Sequence, residues 1–237
     1  MRGETGAKKY IILFAILFLP TLLYLLFVYG KGEQNFAHLP FVTYTDSSGE
    51  EVKRQAPEFG FINQDSVPFT NKDLEGKIYV VDFFFTTCPS ICPIMTANMS
   101  KLHKRFEGFD DFELLSFTVD PKRDTPERLS EYADKLMIDT EKWNFLTGEQ
   151  DSLYSVAYKY LSSAMEDSLA AGGFLHTEYF VLIDKEGNFR SRDDEHGNII
   201  GVYDGTSAQH IRDLIDDVKV LIAEYNLELK KNQVDNE

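Results

Sequence analysis

The sequence has little positive charge and almost no cysteine. Lys and Arg number 24 against 39 Asp and Glu, so the formal net charge of the 237 residues is −15. Proteins bind nucleic-acid phosphates through a basic surface that releases counterions, and no basic stripe is visible here. This argues against a nucleic-acid partner. The acidity favours solubility, and a basic partner protein is the alternative explanation. The hydrophobic residues, 43% of the chain, suffice for one substantial core.

Residues 10–29 contain no charged side chain. Lys8 and Lys9 lie just before this run, and Lys31 lies just after it. At about 1.5 Å per helical residue, this run spans the roughly 30 Å hydrocarbon layer of a bilayer. We expect a transmembrane anchor over 10–29, and the lysines before it place the N-terminal tail, residues 1–9, in the cytoplasm. The tail is too short for an organelle transit peptide. The expected location is the inner membrane of a bacterium, with the soluble domain in the periplasm.

Two features missing from this N-terminal region favour an anchor that is not cleaved. A signal peptide has a shorter apolar run, of about 7 to 15 residues, and a small-x-small cleavage site, which does not follow Phe27. A lipoprotein anchor needs a cysteine near the end of the run. The two cysteines of the chain, Cys88 and Cys92, lie far downstream. We therefore predict attachment to the membrane by one retained helix.

The rest of the chain alternates predicted strands and helices. Residues 30–56 are polar and are expected to form a tether, 57–229 a folded domain and 230–237 a polar tail. The run 78–85 is apolar and rich in β-branched and aromatic residues, which is typical of a central strand buried on both faces. Further strands are predicted over 112–119 and 179–184 and near Phe189, and helices from the cysteines to Gly108, from Asp124 to Leu136, over 149–161 and from Thr206 to Leu229. This order predicts an α/β fold, with a central mixed sheet flanked by helices.

Cys88 and Cys92 lie where the predicted central strand gives way to a helix. Exposed backbone N–H groups and the positive end of the helix dipole stabilise a thiolate there, which is the form that binds metal or attacks disulfides. Three interpretations are open: a structural disulfide, a redox dithiol or a metal site. A disulfide that closes so small a loop removes little entropy from the unfolded chain. A redox dithiol usually has two intervening residues rather than three.

Several segments together resemble the Sco (SenC) family, whose members assist assembly of the binuclear copper centre of cytochrome c oxidase. The similarity covers about residues 57 to 225 and is carried by Phe85–Pro93, Val119–Pro126, Trp143, Leu146–Gly148 and His176 ahead of 179–184. The resemblance implies a thioredoxin-like fold tethered by one transmembrane helix. It also implies that Cys88, Cys92 and His176 are the metal ligands.

The donor types agree with copper. Two thiolates and an imidazole suit Cu(I) and can also hold Cu(II), whereas a structural zinc site would want a fourth protein ligand. The chain departs from the family at Ser90, where an acidic residue is common, and at Phe84, where a glycine is common, but neither change removes a ligand. Residues 170–173 precede His176 and favour a mobile loop. The imidazole is therefore expected to swing onto metal already held by sulfur.

Other residues that could do chemistry have a structural interpretation. Asp82, within the apolar strand, is expected to be hydrogen-bonded or to have a raised pKa, with a proton-handling role beside the dithiol as the alternative. Met95 and Met99 have the helical spacing of core residues, although thioethers can also bind Cu(I). Asp120 and Asp124 are expected to fix a loop. The remaining histidines are expected to be solvated: His38, His103, His196 and His210.

The favoured function is that of a membrane-anchored copper metallochaperone, with the copper-centre subunit of cytochrome c oxidase as recipient and no donor indicated. The alternative is a thiol:disulfide oxidoreductase in which Cys88 and Cys92 are the catalytic dithiol, acting on cysteines of an oxidase subunit or another exported protein. A peroxidase of the peroxiredoxin type is a third hypothesis, but Val81 and Phe85 stand at the positions of its proline and threonine. Whether the protein is an enzyme stays open, and a metal-binding assembly factor is preferred.

Overall fold

The structure is a computed structural model. The residues that it describes are Tyr10, Phe14, 16–22, 38–167 and 171–234. The chain forms two compact units, Met1–His38 and Leu39–Glu237. The second unit holds the sheet and the cysteines and histidine expected to form the functional site.

The first unit contains the predicted membrane anchor. Its described residues 16–22 are helical. Most of the predicted span over 10–29, and the whole tail 1–9, lie outside the described residues. Among the residues that are described, no helix is both long enough and apolar enough to cross a membrane. The anchor therefore stays a prediction.

The second unit alternates strands and helices along most of its described length. Its strands are β1 Thr43–Thr45, β2 Glu51–Lys53, β3 Gly60–Asn63, β4 Pro68–Thr70, β5 Ile78–Phe84, β6 Phe112–Thr118, β7 Trp143–Thr147, β8 Ala164–Glu166, β9 Phe174–His176, β10 Tyr179–Ile183, β11 Phe189–Arg190 and β12 Tyr203–Asp204. Its α-helices are α1 Cys92–Phe106, α2 Pro126–Lys135, α3 Gln150–Lys159 and α4 Ala208–Val234. Short 3₁₀ helices occur at Asn71–Leu74 and Ala171–Gly173.

Within the described residues, the main sheet has eight strands in the order β11-β10-β5-β6-β7-β3-β4, with β12 paired to β10. β5, β6 and β7 are parallel, whereas β10 is antiparallel to β5 and β3 is antiparallel to β7. Every residue of β5 and of β6 is buried, as in central strands that are covered on both faces. The predicted mixed sheet is confirmed.

Aromatic side chains of β5 show how its two faces are covered. Successive strand residues point to opposite faces, so Phe83 and Phe84 lie on different sides of the sheet. The ring of Phe83 is 5.3 Å from that of Phe117 and 6.2 Å from that of Tyr160, just after α3. The ring of Phe84 is 5.6 Å from that of Tyr132 in α2. Helices α2 and α3 therefore cover opposite faces.

The starts of α2 and α3 follow capping signals in the sequence. Thr125 caps α2, because its side-chain oxygen accepts a hydrogen bond from the N–H of Arg128, and a proline occupies the first turn. The helix start predicted around this threonine is correct. At the start of α3, the carboxylate of Glu149 accepts hydrogen bonds from two backbone N–H groups of the first turn.

Residues 39–56, expected to belong to a tether, pack within the second unit. Leu39 and Val42 are buried. The guanidinium Nε of Arg190 donates to the carbonyl oxygen of Leu39 at 2.9 Å, and the same guanidinium forms an ion pair with buried Asp184 at 3.0 Å. The polar composition of this segment did not indicate its packing, because much of the packing rests on backbone hydrogen bonds, which almost any residue type can make. The compact unit therefore begins at Leu39.

Candidate metal centre

The two cysteines lie in the connection from β5 to α1. The N–H of Cys88 donates to the carbonyl oxygen of Phe85 at 3.1 Å, which forms a tight turn directly after the strand. Cys92 is the first residue of α1, and Ile91 at the cap position makes no side-chain hydrogen bond to the first turn. No cap side chain therefore occupies the N–H groups at the start of α1, which lie at the positive end of the helix dipole. Both thiols are free.

The short strand β9 brings His176 to the cysteines. Nε2 of His176 lies 3.2 Å from Sγ of Cys92. Nδ1 lies 3.1 Å from the carbonyl oxygen of Thr177, which can only accept, so Nδ1 carries the proton of this hydrogen bond. The lone pair of Nε2 is then directed to the thiols, in the arrangement that orients metal-binding histidines. The three potential ligand atoms, of Cys88, Cys92 and His176, all lie within 4.8 Å of one another.

The two thiols differ in acidity. The neighbouring Cys92 thiol lowers the pKa of Cys88, and the backbone N–H groups of Ser90 and Cys92 lower it further. The pKa of Cys92 is raised, because the Cys88 thiolate lies beside it and because burial disfavours a second thiolate. Cys88 is therefore the more acidic of the two thiols.

The two departures from the family pattern have different surroundings. Ser90 Oγ lies 3.6 Å from Sγ of Cys88. A neutral hydroxyl at this position does not repel a thiolate as a carboxylate would. The ring of Phe84 packs 5.5 Å from that of Phe145 in β7, so this bulky residue fills the core under α2 rather than the site.

Phe85 forms a wall of the site, which the sequence analysis did not assign. Its side chain is buried, with its ring 5.3 Å from that of Phe174 and 5.6 Å from the imidazole of His176. The imidazole meets the Phe85 ring edge to face, at 87°. The only sequence signal for this role is the position of Phe85 between the strand and the cysteines.

Asp82 lies in the core beneath the site. Its carboxylate accepts a 2.5 Å hydrogen bond from the hydroxyl of Ser116, whose oxygen in turn accepts one from Nε1 of Trp143 at 2.9 Å. Burial raises the pKa of Asp82 to about 7, against the opposing effects of the Ser116 hydrogen bond and of His176. Both expected features of Asp82, a hydrogen bond and a raised pKa, are present.

Asp124 holds the residue that precedes the cysteine loop. Its carboxylate accepts hydrogen bonds from the N–H and the hydroxyl of Thr86, at 3.0 and 2.5 Å, and from the hydroxyl of Thr118 at 2.6 Å. Asp120 forms an ion pair with Arg123 at 2.9 Å. The loop-fixing role expected of both aspartates agrees with these contacts.

The other candidate residues differ in how deeply they are buried. Met95 and Met99 are fully buried in the core, as expected. The side chain of His196 is 73% exposed, and His38 is also exposed. His210 was expected to be solvated, but it takes part in the fold. Its Nδ1 accepts a 3.0 Å hydrogen bond from the N–H of Asp204.

A cleft of about 510 Å³ opens beside the thiols, between α1 and α2. Both cysteines contribute to its lining. Its lining combines the cysteine loop with side chains of both helices, and includes Phe85, Thr86, Cys88, Cys92, Thr96, Ser100, Tyr132, Lys135 and Leu136.

The donor set fits a soft metal ion. Two donors bound to one ion at about 2.0 to 2.3 Å lie at most about 4.6 Å apart, so the 4.8 Å cluster needs only small movements to hold an ion. Thiolates and imidazole match copper, whose Cu(I) state prefers sulfur. The fold and the site together define a thioredoxin-like protein in which a histidine joins the dithiol at the end of the central strand.

Comparison with known proteins leads to a narrower conclusion. The family model described as SCO1/SenC matches residues 47–209. The chain belongs to the SCO1/SenC family.

Solved structures of relatives share the fold. A SCO1/SenC family lipoprotein from Bacillus anthracis is 36% identical, with a TM-score of 0.63 over 72% of this chain and 96% of that one. BsSco, described as a Sco-family cytochrome c oxidase assembly protein with a disulfide switch, is 29% identical, with a TM-score of 0.60 over 72% of this chain and 94% of that one. Arabidopsis thaliana ScoI with copper bound is 27% identical, with a TM-score of 0.57 over 72% and 99% of the two chains.

Proposed function

We propose that the protein binds copper through Cys88, Cys92 and His176 and delivers it during assembly of cytochrome c oxidase. The observation that carries this proposal is the convergence of three donor atoms of suitable softness within 4.8 Å. Family membership supports it, as do the relatives described as copper-bound and as an oxidase assembly protein. The proposed recipient is the copper-centre subunit of the oxidase.

Each ligand has its own part in capturing the ion. Cys88 has the lowered pKa and is 9% exposed, against 1% for Cys92, so Cys88 meets incoming copper as a thiolate. Cys92 becomes a ligand when its proton is released, and loading therefore depends on pH. His176 contributes Nε2, which its Nδ1 hydrogen bond to Thr177 leaves unprotonated. Copper is the cargo, held as Cu(I) or Cu(II).

The difference between the two thiols also favours thiol:disulfide exchange as a second function. The Cys88 thiolate would attack one sulfur of a disulfide in an oxidase subunit or another exported protein, and form a mixed disulfide while a substrate thiolate leaves. The Cys92 thiol, deprotonated as it attacks Cys88 Sγ, would then release the second substrate thiolate. Two electrons pass from the dithiol to the substrate, and Cys88 and Cys92 end as a disulfide. The cleft that both cysteines line supports this second function.

We further propose that residues 10–29 anchor the protein in the inner membrane of a bacterium. Residues 1–9 then lie in the cytoplasm and the copper-binding domain in the periplasm. The uncharged run and the preceding lysines support this arrangement. For the remaining chain we propose a folded domain that begins at Leu39 and includes α4 to Val234.

Metal analysis of the full-length protein tests copper binding. Protein purified in detergent under reducing conditions and supplied with copper should retain about one ion per chain after gel filtration, because two thiolates hold it tightly. Cys88→Ser and Cys92→Ser should retain almost none. His196→Ala, a change at an exposed histidine, should retain copper as the parent does.

Oxidation separates the two proposed functions. Protein converted to the Cys88–Cys92 disulfide should lose its copper, because a disulfide supplies no thiolate. The reduced protein should in turn reduce a disulfide-containing peptide of an oxidase subunit. Thiol trapping of both partners measures this reaction. Copper retention by both serine variants would contradict the metal site, and an unreacted peptide would contradict the exchange function alone.

A further inference from the structure

Gly172 approaches the wall of the site more closely than a side chain could. It lies in the 3₁₀ turn that leads directly into β9, with a φ of +84°. A Cβ atom built on Gly172 would lie 2.7 Å from Cε2 and 2.9 Å from Cζ of Phe85, and 3.3 Å from Cδ of Pro89. Real Cβ atoms essentially never show contacts under 3.0 Å, so a methyl group at this position forces a neighbour to move.

Neither the turn nor the Phe85 ring can move without affecting His176. If the turn shifts away from Phe85, it carries β9, and with it His176, in the same direction. If instead the Phe85 ring shifts, the imidazole loses the surface that it meets edge to face at 5.6 Å. The Phe85 ring is buried and also packs on Phe174 at 5.3 Å, so it has little free space. Both movements change the position of Nε2, now 3.2 Å from Cys92 Sγ.

We propose that Gly172 is a positioning residue for His176. The missing side chain lets the turn rest on Phe85 and Pro89, and this close packing holds the imidazole against the thiols. The inference rests on the proposed role of His176 as a copper ligand. Gly172 acts through Phe85 and the backbone of β9, and makes no bond to copper itself.

The adjacent glycine is a matched control. Gly173 has a φ of +90°, close to that of Gly172, and a Cβ built on it meets no atom within 4 Å. Alanine at either position therefore bears a similar backbone strain. Only alanine at 172 meets the Phe85 ring. The difference between the two variants isolates the packing contact from the strain.

The first measurement needs no copper. In NMR spectra of the metal-free full-length protein in detergent, nuclear Overhauser effects should connect the ring protons of Phe85 and His176. Gly172→Ala should weaken these signals and shift the His176 ring resonances, because the two rings separate. Gly173→Ala should leave both close to those of the parent. Equal spectra for the two variants would overturn the inference.

The second measurement uses copper. Gly172→Ala should lower Cu(II) affinity about 10- to 100-fold relative to Gly173→Ala, the range found when residues that orient a ligand are changed. It should also alter the Cu(II)–thiolate absorption band, while Cu(I) affinity changes much less because the thiolates dominate it. Equal Cu(II) affinities for the two alanine variants would overturn the inference even where the parent binds copper. A parent that binds no copper contradicts the proposed function, and the ring signals then decide the positioning role separately.

A double-mutant cycle covers the case in which Gly172→Ala does not fold. Leu at position 85 lacks the Cε2 and Cζ atoms that the new methyl group meets. Gly172→Ala should therefore cost less, in stability and in Cu(II) affinity, when it is made in a Phe85→Leu background. The same cost in both backgrounds would show that the Phe85 contact is not the reason for glycine, and would overturn the proposal.

Discussion

At the scale of single residues, the site gives two identical thiols different properties. Cys92 is the more buried and its pKa is raised, whereas the neighbouring Cys92 thiol and two backbone N–H groups lower the pKa of Cys88. The pKa of Cys88 falls and that of Cys92 rises, since one negative charge on the two neighbouring sulfurs disfavours a second. A metal ion or a disulfide substrate therefore meets a preformed thiolate at Cys88.

Ligand softness predicts how the three ligands share the binding of copper. Cys88→Ala or Cys92→Ala should lower affinity for Cu(I) and Cu(II) severely. His176→Ala should spare part of Cu(I) binding and weaken Cu(II) binding more, because Cu(II) prefers nitrogen more than Cu(I) does. Competition titrations with chelators selective for each oxidation state would measure both affinities. Unchanged affinity of His176→Ala for both states would show that this histidine is not a ligand.

The buried carboxyl of Asp82 predicts a pH-dependent loss of stability. Folding raises its pKa from 3.8 to about 7, so the folded state favours the protonated form. The contribution of Asp82 is fully present below pH 3.8 and is lost as the pH rises through about 7. Asp82→Asn cannot ionise, so its free energy of unfolding relative to the parent should increase between about pH 4 and about pH 8, by about 1 kcal/mol or more.

Urea unfolding of parent and variant at the two pH values measures this difference, because all other titrating groups are shared. Asp134→Asn, a change at an exposed aspartate, is the control and should show no such increase. A constant difference between Asp82→Asn and the parent at both pH values would mean that Asp82 stays ionised in the folded protein.

At the scale of elements, the site depends on loops that follow parallel strands at one edge of the sheet. β5 and β6 are neighbours and run in the same direction, so the cysteine loop after β5 lies beside the loop after β6 that carries Asp124. The carboxylate of Asp124 joins the two loops through Thr86 and is itself completely buried. The cysteine loop is thus held in place from a neighbouring strand rather than by a disulfide.

Removing this link should loosen the cysteine loop. Asp124→Ala leaves the Thr86 N–H and two threonine hydroxyls without their partner, and each buried unpaired group costs about 1 to 3 kcal/mol. We expect a clear loss of thermal stability and faster hydrogen exchange at the N–H of Thr86. Asp134→Ala, at an exposed position of α2, should change neither. Native-like exchange at Thr86 in Asp124→Ala would show that the loop is held by other contacts.

At the scale of the whole molecule, the proposed arrangement requires the copper domain to lie outside the cytoplasm. A reporter enzyme that is active only after export, fused behind Glu237, should be active, because the uncharged run over 10–29 is long enough to span a bilayer. The mature protein should keep its N-terminal residues, as mass spectrometry would show. Replacing two apolar residues of the run, Leu17 and Leu22, with aspartate should abolish export. Cytoplasmic reporter activity of the parent fusion, or a mature chain that begins near Lys31, would contradict the anchor.

Local patterns determined much of this protein. The apolar run over 78–85 predicted the central strand, and helices were predicted close to where α2 and α4 lie, because strand burial and helix ends depend on residues near in sequence. The same patterns located Cys88 and Cys92 at a strand-to-helix junction. The resemblance to a known family, not a local pattern, pointed to His176 as their partner.

Only the tertiary structure decided how these parts meet. His176 and Cys92 are separated by 84 positions, and antiparallel pairing of β10 with β5 brings β9 beside the cysteine loop. The placement of His176 against Cys92 and the need for glycine at 172 depend on distances of about 3 Å between atoms of different segments. No periodicity in the sequence carries such distances, because burial and hydrogen bonding arise only once the chain has folded.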